Sequence, residues 1–231
     1  MVVKNLCKSY KTDSGETVVF KGFNAEFENG KVTAIMGASG VGKTTLLNCI
    51  ANLTDYDGEI DGAENPAYVF QESRLIHDKT VYANVEFVLN TKDREERKKI
   101  VENALEIAEI SQEANKYPDE LSGGQKKRAA LARAFASGRE VMLLDEPLSS
   151  LDLGLKFKLF EVMKKLFKAS GKTVIIVTHD VDEALTLADE VVVIGSYGAI
   201  YRKKIYSDVF EREIVDAECN VIRKEVISVL K

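Results

Sequence analysis

Residues 37–44 read GASGVGKT, and these eight positions constrain the chain more than any others. They follow KVTAIM, a nearly continuous apolar run at 31–36 that suits a strand buried on both faces, and precede TTLLNCIANL, which suits a helix. A strand, a glycine-rich turn and a helix in that order aim successive main-chain N–H groups inward, and the helix start adds the positive end of its dipole. Such a turn holds an anion, above all a phosphate. The spacing matches G-x-x-x-x-G-K-[ST], in which the lysine reaches β- and γ-phosphates and the hydroxyl residue ligates Mg2+. Lys43 and Thr44 take those places. The nucleotide cradle as read comprises Gly37, Ala38, Ser39, Gly40, Val41, Gly42, Lys43, Thr44 and Thr45.

The rest of the pattern fits an α/β chain. Upstream, VVKNLCKSY, TVVF and FNAEF read as separate strands, the last alternating Phe23, Ala25 and Phe27 with polar residues as a half-exposed antiparallel sheet requires. From about 72 to 139 the spacing is helical, with Ile100, Ala104, Ile107 and Ala108 on one stripe and Glu95 four residues before Lys99. EVMLLD, TVIIVT and EVVVI then return as strands, separated by helices at about 152–169 and 180–189, which predicts a parallel sheet covered on both faces. Phe210 to Leu230 reads as one closing helix. At 231 residues this is one large domain or two small ones, without internal repeats.

EVMLLDEP, at 140–147, ends an apolar strand in two carboxylates. Asp145 is expected beside the glycine-rich turn, at the carboxyl end of the strand where open α/β sheets bind ligands, holding the metal. Glu146 is placed to orient and deprotonate a water that attacks the γ-phosphorus.

Composition narrows the partners. Lysine and arginine number 32 against 37 aspartate and glutamate, a net charge of −5, which disfavours a protein whose main work is gripping nucleic-acid phosphates. The apolar runs are far shorter than the roughly 20 residues a membrane helix needs, and the lysines of MVVKNLCKSY interrupt any secretory h-region. Cys7, Cys49 and Cys219 are scattered, as expected of reduced thiols in a cytoplasmic protein, and form neither a disulfide framework nor a zinc site.

Between the two phosphate-linked motifs lies LSGGQKKRAALARAF, residues 121–135, whose Ser122, Gly123 and Gly124 look like a helix cap open to close backbone approach. With that run the chain strongly resembles the ATP-binding cassette (ABC) ATPases over essentially its whole length. The resemblance implies a P-loop NTPase core with an antiparallel β subdomain and an inserted helical subdomain: β subdomain and core at about 1–71 and 140–205, helical subdomain at about 72–139, C-terminal helix at about 206–231. It implies a dimer in which Ser122, Gly123, Gly124 and Gln125 of one copy cover the γ-phosphate held by the other. Tyr10 matches the aromatic that stacks on adenine. Gln71 matches the glutamine that contacts the metal and the attacking water. Asp152, in SSLD at 149–152, matches the carboxylate of a loop crossing the dimer interface, and His179 the histidine that touches the γ-phosphate. On this basis Lys43, Gln71, Glu146 and His179 are the catalytic set and Thr44, Gln71 and Asp145 the metal set. Lys127 stands where the family commonly has glutamine, a departure that does not threaten catalysis. His77 matches no catalytic position and is expected to be exposed near a partner surface.

The kind of cassette follows from what is missing. About eighty residues separate the phosphate turn from the signature, too few for the coiled coil of chromosome-maintenance relatives; translation-factor relatives carry two cassettes, and excision-repair relatives carry zinc modules. Transport remains, with ATP and Mg2+ as cofactors, a second ATPase subunit, integral-membrane permease subunits, a location on the cytoplasmic face of the cell membrane and an extracytoplasmic solute-binding protein as expected partner. Leu75, Ile76, Val81 and Tyr82 are the apolar candidates for receiving the permease, or else pack into the helical subdomain. FQESRLIHDKTVYANV and THDVDEALTLADEVVVI look most like importers of the nitrate, sulfonate and taurine group. Small export cassettes, for lipoproteins or antimicrobial peptides, share this length.

Overall fold

The computed structural model describes residues 1–12, 15–149, 151–208, 212 and 216–230. Its sheet has nine strands among these residues: β1 (Val2–Thr12), β2 (Gly15–Glu26), β3 (Val32–Met36), β4 (Asp57–Asp61), β5 (Ala67–Val69), β6 (Val141–Asp145), β7 (Thr173–Val177), β8 (Glu190–Gly195) and β9 (Gly198–Lys204). They lie in the order β4-β1-β2-β9-β8-β3-β7-β6-β5. β8, β3, β7, β6 and β5 run parallel, while β1 pairs antiparallel with both β2 and β4, and β9 antiparallel with β8. The helices are α1 (Lys43–Ile50), α2 (Val81–Glu86), α3 (Arg94–Ile107), α4 (Gly123–Ala136), α5 (Leu153–Ser170), α6 (Val181–Leu187) and α7 (Ala217–Leu230).

The apolar strands divide their side chains between two cores with period two, as a doubly covered sheet must. Ala34, Met36, Met142, Leu144, Val174, Ile176, Val191 and Val193 face one core with α2 to α7. Ile35, Leu143, Ile175, Val177, Val192 and Ile194 face the other, where Leu46, Leu47 and Ile50 of α1 meet Leu6, Phe20, Phe23 and Phe27 of the antiparallel arm.

Several boundaries differ from the sequence expectation. TVVF and FNAEF are one strand, β2, bent against β1 by register shifts between Val3 and Ser9. α1 stops at Ile50, where Ala51 caps it and Asn52 turns left-handed at φ 55°. On α3 Ala104 and Ala108 are buried as the stripe requires, but Val101 and Leu105 join them and Ile100 and Ile107 lie at the margin, and the i,i+4 pair is Lys98 with Glu102 at 3.8 Å. The closing helix begins at Ala217, and most of 209–215 lies outside the described residues. Asp180 starts α6 by accepting from the N–H groups of Asp182 and Glu183, and Asp93 starts α3 in the same way.

The order of the parallel strands sets up the site. The carboxyl ends of β3, β7, β6 and β5 stand side by side, and each releases a loop there. Asp145 and Ile35 both lie in register with Val177, so the three central strands end level.

Candidate functional site

The turn after β3 is shaped by Gly42, which precedes α1 with φ 106°. A Cβ at Gly42 would overlap the Val19 side chain of β2 and lie 2.9 Å from the Phe20 ring, so a side chain here would drive the antiparallel arm off the turn. Lys43, the first residue of α1, curls back and donates through Nζ to the carbonyls of Gly37 (2.9 Å) and Ala38 (3.1 Å). Burial pushes its pKa down, against the opposing pull of Glu146 and Asp145. The ammonium is thereby held over the cradle and within the field of both carboxylates.

Asp145 is buried at the end of β6. Its Oδ1 accepts from the Thr44 hydroxyl at 3.1 Å, and its Oδ2 lies 3.5 Å from the Tyr68 hydroxyl, which also reaches Asn48 at 3.1 Å. Burial raises the Asp145 pKa, the Thr44 hydrogen bond opposes the rise and neighbouring Glu146 adds to it. Tyr68 is a site residue that sequence reading passed over; a hydroxyl on the short strand AYV was the only signal. Its own pKa is driven up, first by burial and then by Asp145.

Glu146 is a non-glycine residue at φ 44°, a conformation that costs energy and is held by its surroundings. Its N–H donates to the Val177 carbonyl at 2.9 Å, and its carbonyl accepts from the N–H and hydroxyl of Ser149 at 3.1 and 2.9 Å. The effect is to aim the carboxylate out of the strand end. There Oε1 lies 3.3 Å from His179 Nδ1 and Oε2 lies 3.5 Å from Gln71 Nε2. Lys43, Thr44, Gln71, Asp145, Glu146 and His179 thus converge from four strand ends. A cleft of ≈ 580 Å³ opens between Thr44, Tyr68, Gln71 and Asp145.

The other expected residues stand apart from this cluster. Ser122 caps α4: its hydroxyl accepts from the Gln125 N–H at 3.3 Å, while Gln125 Oε1 accepts from the Ser122 N–H at 2.9 Å. The Gln125 amide also donates to Glu113 at 2.9 Å, so this side chain is spent on the helix start. A Cβ on Gly124 would come within 2.7 Å of the Leu155 side chain of α5, whereas one on Gly123 meets open space. Tyr10, on β1, carries the Lys8 ammonium 4.7 Å over its ring. Asp152 caps α5 by accepting from the Leu155 N–H at 3.0 Å, and Ser150 of the same loop lies outside the described residues. His77 is exposed and lies 3.5 Å from Asp119.

Among the proposed permease contacts, Leu75 and Val81 are buried in the main core, Tyr82 packs against it and Ile76 is half-buried. The packing alternative therefore holds for Leu75 and Val81. Exposed instead are Phe87, at 64 %, and Leu53, at 58 %. Among the described residues no helix is long and apolar enough to cross a membrane.

A glycine-rich turn between β3 and α1 with a carboxylate pair at the end of β6 is the architecture of a nucleotide-binding α/β protein. A profile of the ABC transporter family matches residues 20–149, and the chain belongs to that family as an ABC-type ATPase. The aliphatic sulfonates import ATP-binding protein of Granulibacter bethesdensis is 40% identical over 217 residues, covering 94% of this chain and 90% of that one. The maltose/maltodextrin import ATP-binding protein of Vibrio cholerae is 38% identical over 210 residues, 85% of this chain but only 55% of its relative. Among solved structures, a dimeric ATP-binding cassette in a post-hydrolysis state with ADP and phosphate bound superposes with a TM-score of 0.76 at 32% identity, over 90% of this chain and 99% of the other.

Proposed function

We propose that this protein is the ATP-hydrolysing subunit of an importer, energising solute movement through a separate membrane permease. The observation that carries the reading is the meeting of Thr44 with Asp145, and of Gln71 and His179 with Glu146, beside the Lys43 cradle. The sulfonate and maltodextrin relatives are both import ATP-binding proteins, which supports import over export. Near-complete coverage of the sulfonate relative favours a sulfonate-type anion as substrate.

Main-chain N–H groups of residues 37–45 and Lys43 hold the β- and γ-phosphates, and Tyr10 stacks on the adenine. The Thr44 hydroxyl and an Asp145 oxygen, 3.1 Å apart, form the sparse hard-oxygen set that suits Mg2+, with Gln71 at its edge. When bound, the ion neutralises charge on the phosphate oxygens. Glu146 takes a proton from water as the water oxygen bonds to the γ-phosphorus, and the bond to the bridging oxygen breaks to release ADP. His179, with Nδ1 3.3 Å from Glu146, keeps the carboxylate and the γ-phosphate in line. The main-chain N–H groups of Gly123 and Gly124, left over by the Ser122–Gln125 cap, have no phosphate in their own chain. They cover the nucleotide of a second copy, and the dimeric state of the superposing cassette supports this arrangement. Closure of that dimer moves the permease. The permease contact is assigned to the exposed Leu53 and Phe87. A solute-binding protein on the far side of the membrane delivers the substrate, and the ATPase acts from the cytoplasmic face.

The test is reconstitution. The protein is purified with its permease and binding protein in lipid vesicles, and ATP-driven uptake of an aliphatic sulfonate is compared with that of sulfate and maltose. Uptake of the sulfonate that disappears with Glu146→Gln is expected; ATP-driven uptake of none, or ATPase stimulation by DNA instead of solute, would overturn the reading.

A further inference from the structure

The loop that carries Gln71 into the site is held from α4 at Gln71 and Arg74 and from α2 at Ile76. Lys127, on the second turn of that helix, is buried, and its ammonium donates to the main-chain carbonyl of Gln71. Six residues on, Arg133 donates to the Arg74 carbonyl at 3.0 Å and to Asn84 Oδ1 at 3.4 Å. Asn84 in turn brackets both the N–H and the carbonyl of Ile76, at 2.8 and 3.0 Å. Two cations of one helix thus fix the main chain at Gln71 and Arg74, where Arg74 itself is left-handed at φ 36°.

Lys127 is the more informative of the two. A buried ammonium is costly, and burial pushes its pKa down against the pull of Glu183, Asp145, Glu146 and Glu72. A core position on a helix is filled far more cheaply by an apolar residue. The lysine stem spans from α4 to the loop, and its head lies on the wall of a ≈ 720 Å³ cleft that Gln71, Ser149 and Gly123 also line. The start of the same helix, at Ser122, is the part that faces a second copy's nucleotide in the reading given above. The same rigid rod therefore ends at one nucleotide and grips the glutamine that serves the other.

We propose that Lys127 is a positioning residue that ties Gln71 to α4, so that a nucleotide arriving under Ser122 from the partner copy sets Gln71 over the phosphate of its own copy. This rests on the two-copy reading and adds a route of communication between the two sites. The route is one charge-assisted hydrogen bond to a main-chain carbonyl, which any displacement of the helix start transmits without a change in Gln71 itself.

The test measures ATP hydrolysis by the purified protein against ATP concentration and against protein concentration for the wild type, Lys127→Met and Lys127→Gln. Methionine keeps the apolar stem and loses the donor; glutamine keeps a donor. Lys127→Met is expected to bind a fluorescent ATP analogue within about twofold of the wild type while kcat falls about tenfold, the order one charge-assisted hydrogen bond carries when it acts in the transition state. Its Hill coefficient for ATP falls towards one, and Lys127→Gln recovers most of both quantities. A Lys127→Met protein with kcat and Hill coefficient within twofold of the wild type would overturn the inference. If the methionine variant does not fold, Lys127→Gln decides alone: tenfold loss of kcat with an unaltered Hill coefficient assigns Lys127 a purely structural role. Failure of the two-copy reading shows separately, as a wild-type rate per protomer that does not depend on protein concentration.

Discussion

Glu183 gives the fold a measurable dependence on pH. It lies in the first turn of α6, 3 % exposed, with Oε2 accepting from the Thr178 hydroxyl at 2.8 Å and Oε1 buried without a partner among the described residues. Burial pushes its pKa from 4.5 up to about 7, with the Asp180 carboxylate adding to the rise and the Thr178 hydrogen bond opposing it. Because the folded value lies above the unfolded one, the folded chain keeps a proton that the unfolded chain releases. The associated stability is complete below about pH 4.5 and is lost as pH rises through about 7. At about 1.36 kcal/mol per pH unit between those two values, the loss is about 3 kcal/mol. Glu183→Gln keeps an acceptor for Thr178 and has nothing to titrate. Urea unfolding of both proteins from pH 4.5 to 8.5 should show the variant gaining about 3 kcal/mol relative to the wild type across that range. At about 2–4 °C per kcal/mol for a chain of this size, the melting midpoints should diverge by about 6–12 °C. Curves that stay parallel over the whole range would refute the assignment of a buried, proton-retaining carboxyl at Glu183.

Glu146→Gln should bind ATP normally yet hydrolyse it several orders of magnitude more slowly, accumulating an ATP-bound dimer on gel filtration; near-normal turnover would remove Glu146 as the base. Lys43→Ala should instead lose nucleotide affinity, measured by titration with a fluorescent ATP analogue. Gly124→Val should unfold at lower temperature by a few degrees through overlap with Leu155, an expectation checked by thermal denaturation against Gly123→Val, where the space is open. Phe87→Asp should leave the ATPase of the isolated protein intact and prevent its co-purification with the permease.

Parts of the site could be read directly from the chain because their chemistry is local. The turn at 37–44 declares itself by glycines that main-chain geometry demands, and Asp145 and Glu146 by ending an apolar strand. Other parts depend on what a residue meets across the fold. Leu75 and Val81 are apolar in a segment expected to meet a partner, and only the packing of α2 against α4 shows them filling the protein's own core. Tyr68 enters the site because β5 lies beside β6, with paired residues such as Tyr68 and Leu143 distant in sequence and no signal in either strand. Lys127 looks like a surface lysine among KKR and becomes buried because α4 turns that one face to Gln71. TVVF and FNAEF read as two strands, and β2 runs through both because Gly22 takes a positive φ between them without ending the strand.

The central claim is that each active site is built from two copies of this chain, one giving the Lys43 turn and the other the Ser122 helix start. Mixing Lys43→Ala with Ser122→Arg tests it most directly. Each variant alone should be nearly inactive, but a mixed dimer holds one intact site, formed by Lys43 of the second variant and Ser122 of the first. ATP hydrolysis in the mixture is expected to rise several-fold above the mean of the separate proteins. A mixture that does no more than average its two components would contradict the account.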